Sequence, residues 1–292
     1  MRNFDLNDLA IVQAVVAHGG VARAAQALHR VPSNITTRIK QLEARMGLEL
    51  FMRRGRRLVP TEEGRLLISY AERLLRLADE AESALRTGRL LGTLRIGSLE
   101  STAGSRLPRL LARYNQANPA VRIELVTGTT GALIGRLARH DVEAAFVSEP
   151  FHAPGAAAEP VFKEELVLIT GPHIQSLSSL AKAGTVTLIA FASGCSYRRL
   201  LEQWQSEHGV GVSGVLEFAS YPAIVACVAA GTGVAIVPKS VLAGLHAAKS
   251  VQAHELPAHL SFNRTHLIWH EGKESLALRS LRQLLASPDF AE

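Results

Sequence analysis

Arg53, Arg54, Arg56 and Arg57 flank Gly55 in a short stretch bounded by Phe51 and Pro60. Guanidinium groups on both sides of a glycine suit the phosphate oxygens of a nucleic-acid backbone, and the glycine permits a tight hairpin tip. Just upstream stand Ser33, Asn34, Thr36, Thr37, Arg38, Lys40 and Gln41. On a helix they occupy the face opposite Ile35, Ile39, Leu42 and Met46, which recur at helical spacing. Short polar groups near a helix start reach base edges in a major groove, while Arg38 and Lys40 reach a base or a phosphate.

Positioning these groups takes a set of elements that the same stretch supplies. Pro32 lacks a backbone N–H and suits a first helical turn, where that donor has no partner anyway. Before it, a short helix over about Val21 to Leu28 is kept thin by Ala22, Ala24, Ala25 and Ala27, so that a second helix can cross it closely. His29 to Val31, with Arg30, form the turn. Helix, turn, helix and basic hairpin in that order place one helix in a DNA major groove. A preceding helix is expected from Leu6, Leu9, Val12 and Val16, ended by Gly19 and Gly20. After Pro60, Thr61 with Glu62 and Glu63 marks another helix start. That helix is expected to reach about Arg86, with Leu67, Tyr70, Leu74, Leu77, Ala81 and Ala84 forming a seam at heptad spacing. Such a seam predicts a partner helix, and a two-headed DNA binder needs two-fold pairing.

Beyond a hinge containing Gly88 and Gly92 the pattern changes. Apolar strand runs such as Thr93–Ile96, Val121–Val126, Ala144–Val147, Leu166–Thr170, Thr187–Ala190 and Val234–Val237 alternate with helical segments, which predicts an α/β domain with a mostly parallel sheet. The alternation restarts after Thr170, and a late strand at Leu267–Trp269 returns to the first half. Two lobes are therefore expected, Leu91–Leu166 with Arg264–Glu292, and Val167–Asn263. Ligands bind such lobes in the cleft outside the carboxyl ends of the strands. The polar turns that would meet there hold Ser98, Glu100, Ser101 and Thr102, then Thr129 and Thr130, then Cys195, Ser196 and Tyr197, then Tyr221. Hydroxyls and free N–H groups at helix starts favour an anion; Glu100 favours an ammonium instead, and both ligand classes stay open.

Residues 1 to about 90 resemble the winged helix-turn-helix head of LysR-type transcriptional regulators. The matching residues are Leu6, Leu9, Ala24, Ala25, Leu28, Pro32, Ser33, Arg38, Ile39, Leu42, Glu43, Gly47, Leu50, Phe51, Arg53, Arg57, Pro60, Thr61 and Gly64. Gly20 stands where that family usually has a serine cap and Val21 where an aromatic is common, while Thr36 and Thr37 replace a serine and its polar neighbour. The resemblance implies three parts: a winged helix-turn-helix over 1–60, a linker or dimerisation helix over 61–90, and an effector domain over 91–292. It further implies two α/β lobes similar to periplasmic solute-binding proteins, with the first strand–helix turn lining the effector cleft. A homodimer or tetramer, double-stranded DNA, a small-molecule effector and RNA polymerase are the partners it implies.

Composition bounds the alternatives. At 292 residues, with 47% hydrophobic and 20% charged, the chain is long and apolar enough for two or three packed domains. Residues 1–91 hold 15 Lys and Arg against 10 Asp and Glu, and the remainder holds 17 against 16, so the basic excess lies with the helical head. The N-terminus is interrupted by Asp5, Asn7, Asp8 and Gln13, unlike a signal peptide. No apolar run approaches the ~18–20 residues of a membrane span, and a cytoplasmic protein is expected. The histidines show no metal-ligand spacing, Cys195 and Cys227 no disulfide framework, and Gly231–Gly233 lies in the wrong order for a dinucleotide fingerprint. No nucleophile–base set supports an enzyme, and neither a metal nor a cofactor is expected. Cys195 beside Arg198 and Arg199 carries the features of a lowered thiol pKa, which leaves redox sensing as an alternative. The competing reading of the whole is a solute-binding or enzymatic α/β protein with an incidental helical N-terminus.

Overall fold

The computed structural model describes residues 3–290 apart from 55–56, 88–89, 179, 181–183 and 247–248, and apart from the side chains of 57, 80 and 83–87. The expected hairpin tip at Gly55, Arg56, the Arg57 and Ala84 side chains and the hinge residue Gly88 thus lie outside the described residues. The chain divides into two compact units, Met1–Gly92 and Thr93–Glu292.

In the first unit, α1 (Leu6–Ala17) begins with a capping box between Asp5 and Asp8. The Asp5 carboxylate accepts the Asp8 N–H at 2.7 Å and the Asp8 carboxylate accepts the Asp5 N–H at 3.2 Å. Leu9 and Val12 are buried, as their spacing predicts, but Leu6 and Val16 are exposed while Ile11, Ala14 and Val15 enter the core. The expected stripe is corrected because α1 touches three later helices of this unit, so no single face buries it. α2 (Val21–Ala27) turns Ala24 and Ala25 inward and leaves Ala22 and Ala27 exposed. His29, at φ 53°, makes the turn. α3 (Pro32–Met46) buries Ile35, Ile39 and Leu42 and ends at Gly47, whose φ of 67° suits a residue without a Cβ. Glu43 then ties helix to hairpin: its carboxylate accepts the N–H groups of Leu50 and Phe51 at 2.8 and 3.1 Å. The hairpin strands are β1 (Phe51–Arg54) and β2 (Arg57–Pro60), antiparallel with Arg53 opposite Leu58.

α4 (Glu62–Thr87) is capped by Thr61, whose hydroxyl accepts the Gly64 N–H at 3.0 Å and donates to the Glu49 carbonyl at 2.7 Å. A Cβ on Gly64 would lie 2.0 Å from the Leu50 carbonyl oxygen, so this close approach admits only glycine. With its start held there, α4 directs Leu67 and Ala71 into the head core, with Ile68 and Leu75 beside them. Leu66, Tyr70, Leu74 and Leu77 form the exposed apolar stripe. Leu67 therefore belongs to the head and Leu66 takes its place in the seam, a one-residue correction of the expected register.

The second unit holds two lobes. In the first are β3 (Gly92–Ser98), α5 (Glu100–Ser105), α6 (Leu107–Ala117), β4 (Val121–Thr127), α7 (Thr130–Ala138), β5 (Ala144–Ser148) and the late helix α11 (Leu276–Leu285). The second has β7 (Thr185–Ala190), α8 (Ser196–Glu207), β8 (Gly211–Glu217), α9 (Tyr221–Ala229), β9 (Ala235–Pro238), α10 (Lys239–Gly244) and β10 (Gln252–Glu255). β6 (Ala156–Thr170) and β11 (Phe262–His270) are long and pass between the lobes, paired with each other. Among the described residues the main sheet runs β10-β6-β11-β5-β3-β4, with β9 also on β6 and a separate β7–β8 pair. β3/β5 and β7/β8 are parallel, whereas among the described residues the pairings of β6 and β11 are antiparallel. The sheet is thus more mixed than the strand–helix alternation predicts. Alternation reports crossovers within a lobe; the two passages between lobes run in opposite directions and impose antiparallel pairs on their neighbours. One apolar core spans Leu166 to Leu260, and a first-lobe core includes Leu99, Leu133, Val147 and Ile268.

Candidate functional site

The head presents its polar α3 residues outward. Pro32, Ser33, Asn34, Thr36, Thr37, Lys40 and Gln41 are exposed, as are Arg53 and Arg54 on β1. Thr36 bonds back to the Pro32 carbonyl at 3.0 Å, which leaves its methyl group as the outer feature. Arg30 donates to the Asn7 side chain at 2.7 Å. Arg38 differs from its neighbours. It is half-buried and lies 3.5 Å from the buried Asp8 carboxylate, which also pairs with Arg45. Asp8 thus caps α1 and pins α3 against it, a structural engagement that the spacing of Arg38 does not reveal.

In the second unit, four strand–helix turns meet between the lobes around a narrow cavity of about 20 Å³. Of the sequence-predicted cleft residues, Glu100, Ser101, Thr129, Cys195, Ser196, Tyr197 and Tyr221 line it. Ser98, Thr102 and Thr130 do not: Ser98 bonds the Leu99 carbonyl, Thr102 is buried, and Thr130 is held in a hydroxyl network. Leu99, Gly128, Ser148 and Phe191 also line the cavity, and their residue types gave no polar-turn signal. Ser148 ends β5 and Phe191 follows β7, so the carboxyl-end rule for α/β sheets could have found both.

Ser148 is the centre of the buried network. Its N–H donates to the Thr130 hydroxyl at 3.2 Å, and its carbonyl accepts the Ser196 hydroxyl at 2.9 Å. Its own hydroxyl donates to Asn263. Thr130 belongs to the first lobe and Ser196 to the second, with their hydroxyl oxygens 3.3 Å apart. A backbone bond from Gly131 N–H to the Gly194 carbonyl, 3.3 Å, also joins the lobes. Gly194 has φ 90°, a left-handed conformation that glycine accepts without strain. Near this pivot Glu164, almost wholly buried, accepts Arg106 Nε at 2.8 Å and the Ser240 hydroxyl at 2.8 Å.

Burial pushes the Glu100 carboxyl up, and the Tyr221 N–H against it only partly offsets that rise. Burial and the Glu164 charge hold the Tyr197 phenol protonated. Its hydroxyl lies against Ser101 and Ser148 without a hydrogen bond of ordinary geometry to either. Burial also raises the Cys195 thiol, outweighing nearby N–H groups and the charges of Arg198 and Arg199. That corrects the expectation of a lowered thiol pKa. Cys227 is partly buried. Gly231 turns α9 into β9, and a Cβ on Gly233 would lie 2.2 Å from the Thr187 carbonyl oxygen, a packing role. Among the described residues no helix is long and apolar enough to cross a membrane, and no cluster fits a metal ion.

Comparison with known proteins agrees with both units. Residues 6–65 match the bacterial regulatory helix-turn-helix protein, lysR family, and residues 87–287 match the LysR substrate binding domain. The chain is 36% identical over 281 residues to the uncharacterized HTH-type transcriptional regulator YusT of Bacillus subtilis, covering 96% of this chain and 94% of that one. It is 35% identical over 261 residues to the HTH-type transcriptional regulator GltR of the same organism, covering 89% and 88%. A full-length CbnR solved with its target DNA shares the fold, with a TM-score of 0.67 at 21% identity over 97% of this chain and 99% of that one.

Proposed function

Because the chain belongs to the LysR family of DNA-binding transcriptional regulators, which are not enzymes, we propose that it acts as a homodimer or tetramer on a partly palindromic DNA site under control of a small effector. The observation that carries this reading is the uncovered polar face of α3 in the same unit as the exposed Arg53 and Arg54. Thr37, Lys40 and Gln41 read base edges, with Ser33 and Asn34 at the helix start. Arg53 and Arg54, with Arg56 and Arg57, hold phosphates and release counterions, so affinity falls steeply with salt. Arg38 supports this face through Asp8 and reaches the duplex with the rest of its guanidinium.

The chain works in three parts: a DNA-binding head over 1–60, a pairing helix over 61–90 and an effector-binding domain over 91–292. Leu66, Tyr70, Leu74 and Leu77 pack against the same stripe of a second copy and set the spacing of two heads. The effector enters the interlobe cavity, where Glu100, Ser101, Thr129, Ser196, Tyr197 and Tyr221 surround it, and lobe closure alters subunit geometry. The protein acts in the bacterial cytoplasm and communicates with RNA polymerase at the promoter.

A gel-shift titration with the DNA upstream of its own gene, repeated at rising salt, tests the reading. A retarded band that weakens steeply with salt is expected. A monomer with no preference among duplexes at moderate ionic strength would overturn it.

A further inference from the structure

We propose that the interlobe cleft is built for a small organic ammonium ion and that Glu100 selects it; this rests on the reading of that cleft as the effector site. Two adjoining cavities, a narrow inner one of about 20 Å³ and a wider outer one of about 340 Å³, share Glu100, Gly128, Thr129 and Phe191 as a common wall. Among the described residues lining them none is Lys, Arg or His. They contain two carboxylates, Glu100 and Glu217. Glu217 is already matched by Arg198, which also holds Glu202 at 2.8 Å. Glu100 has no ion pair among the described residues, only the Tyr221 N–H.

A half-buried carboxylate without a counterion loses hydration that a single N–H repays only in part. An ammonium group in the cavity supplies the missing charge and up to three donors. The hydroxyl-bearing residues Ser101, Thr129 and Tyr197 line the same cavity as Glu100. Tyr197 lines the cavity, and its buried hydroxyl, against Ser101 and Ser148, has no hydrogen bond of ordinary geometry among the described residues. The remaining walls suit a hydrocarbon body. Phe191 meets Tyr221 edge to face at 4.8 Å, and Phe218 lines the outer cavity. Aromatic faces also attract cations. A carboxylate ligand would meet Glu100 with no cation on these walls. The arginines of the region line a third cavity instead, which adjoins the inner one at Cys195.

Pairs of opposite charge on the same hydrocarbon group provide the test: pentanoate against butylammonium, and phenylacetate against benzylammonium. Each is titrated by ligand-observed NMR into the full chain, into Glu100→Gln and into Tyr197→Phe. The ammonium member of at least one pair should bind roughly tenfold or more tightly than its carboxylate, and Glu100→Gln should remove that preference. Tyr197→Phe should weaken binding while the preference for the cation persists. Carboxylates binding as well as ammonium ions, or none of the four binding, would overturn the proposal. If the carboxylates bind and Tyr197→Phe weakens them, the cleft remains the effector site and only its charge class is wrong. Ammonium binding indifferent to both substitutions would place the ligand elsewhere and overturn the cleft reading as well.

Discussion

The α3 face and the interlobe cleft are both polar, yet their polar groups live under opposite conditions. On α3, Ser33, Asn34, Thr37, Lys40 and Gln41 are exposed and face water. In the cleft, Ser148, Thr130 and Ser196 are buried and satisfy one another. An exposed polar face contributes little to the fold and is available for a partner. A buried polar cluster must be completed internally before anything is left for a ligand. Under the proposed reading a ligand in the cleft would meet the remainder, above all Glu100, which has no ion pair among the described residues.

That contrast can be broken most forcefully at the apolar stripe of α4, which is exposed like the α3 face but made of groups that prefer burial. Tyr70→Lys combined with Leu77→Lys should leave the fold intact and abolish pairing. Operator affinity then drops by roughly 100-fold or more as two-site binding is lost, read by sedimentation velocity alongside the gel shift. Unchanged assembly would show that α4 is not the pairing element.

Thr130→Val keeps the shape of the side chain and removes its hydroxyl, which orphans the buried Ser148 N–H. It should cost about 1–3 kcal/mol in urea denaturation of the second unit. A comparable loss from Thr37→Ala would erase the distinction between the two surfaces, because an exposed α3 residue should change stability by no more than about 0.5 kcal/mol.

Arg53→Ala with Arg54→Ala should weaken all duplexes by roughly tenfold and reduce the log–log salt slope by about 2, near one per phosphate contact. Thr37→Ala should instead shift base preference by about 1 kcal/mol at one position of the site, seen by sequencing retained fragments.

The smallest effect expected is on stability at Glu100. Its carboxyl pKa is raised in the folded state, so the native protein binds more protons than the unfolded chain above the ordinary carboxylate range. Stability should fall as pH rises from that range through the raised pKa. Glu100→Gln should flatten this decline and slightly stabilise the neutral-pH protein, while losing cation preference. A flat pH profile in the unaltered protein would contradict the burial of that carboxylate.

Periodicity made much of the head legible. Ile35, Ile39 and Leu42 had to face inward once α3 was recognised, because an amphipathic helix has one way to bury them. It failed where several neighbours compete for one helix. α1 is packed by three helices, so its inward set includes Ile11 and Val15 rather than Leu6 and Val16. α4 is rotated by the Thr61–Gly64 contact, which exchanged Leu66 for Leu67. Arg38 looked the same as Lys40 in the sequence, and only the fold brought Asp8 beside it.

By itself the sequence determined where most helices and strands lie, where the basic charge lies and which turns are polar, because local propensity and spacing act within a few residues along the chain. Its resemblance to LysR-type regulators, carried by matching residues, implied the three-part organisation. The tertiary structure alone decided that β6 and β11 cross between lobes, that Ser148 and Phe191 join the cavity, and that Glu100 has no counterion among the described residues. Such facts depend on groups far apart in sequence being brought together, and the sum of their contacts, not any one segment, selects the arrangement.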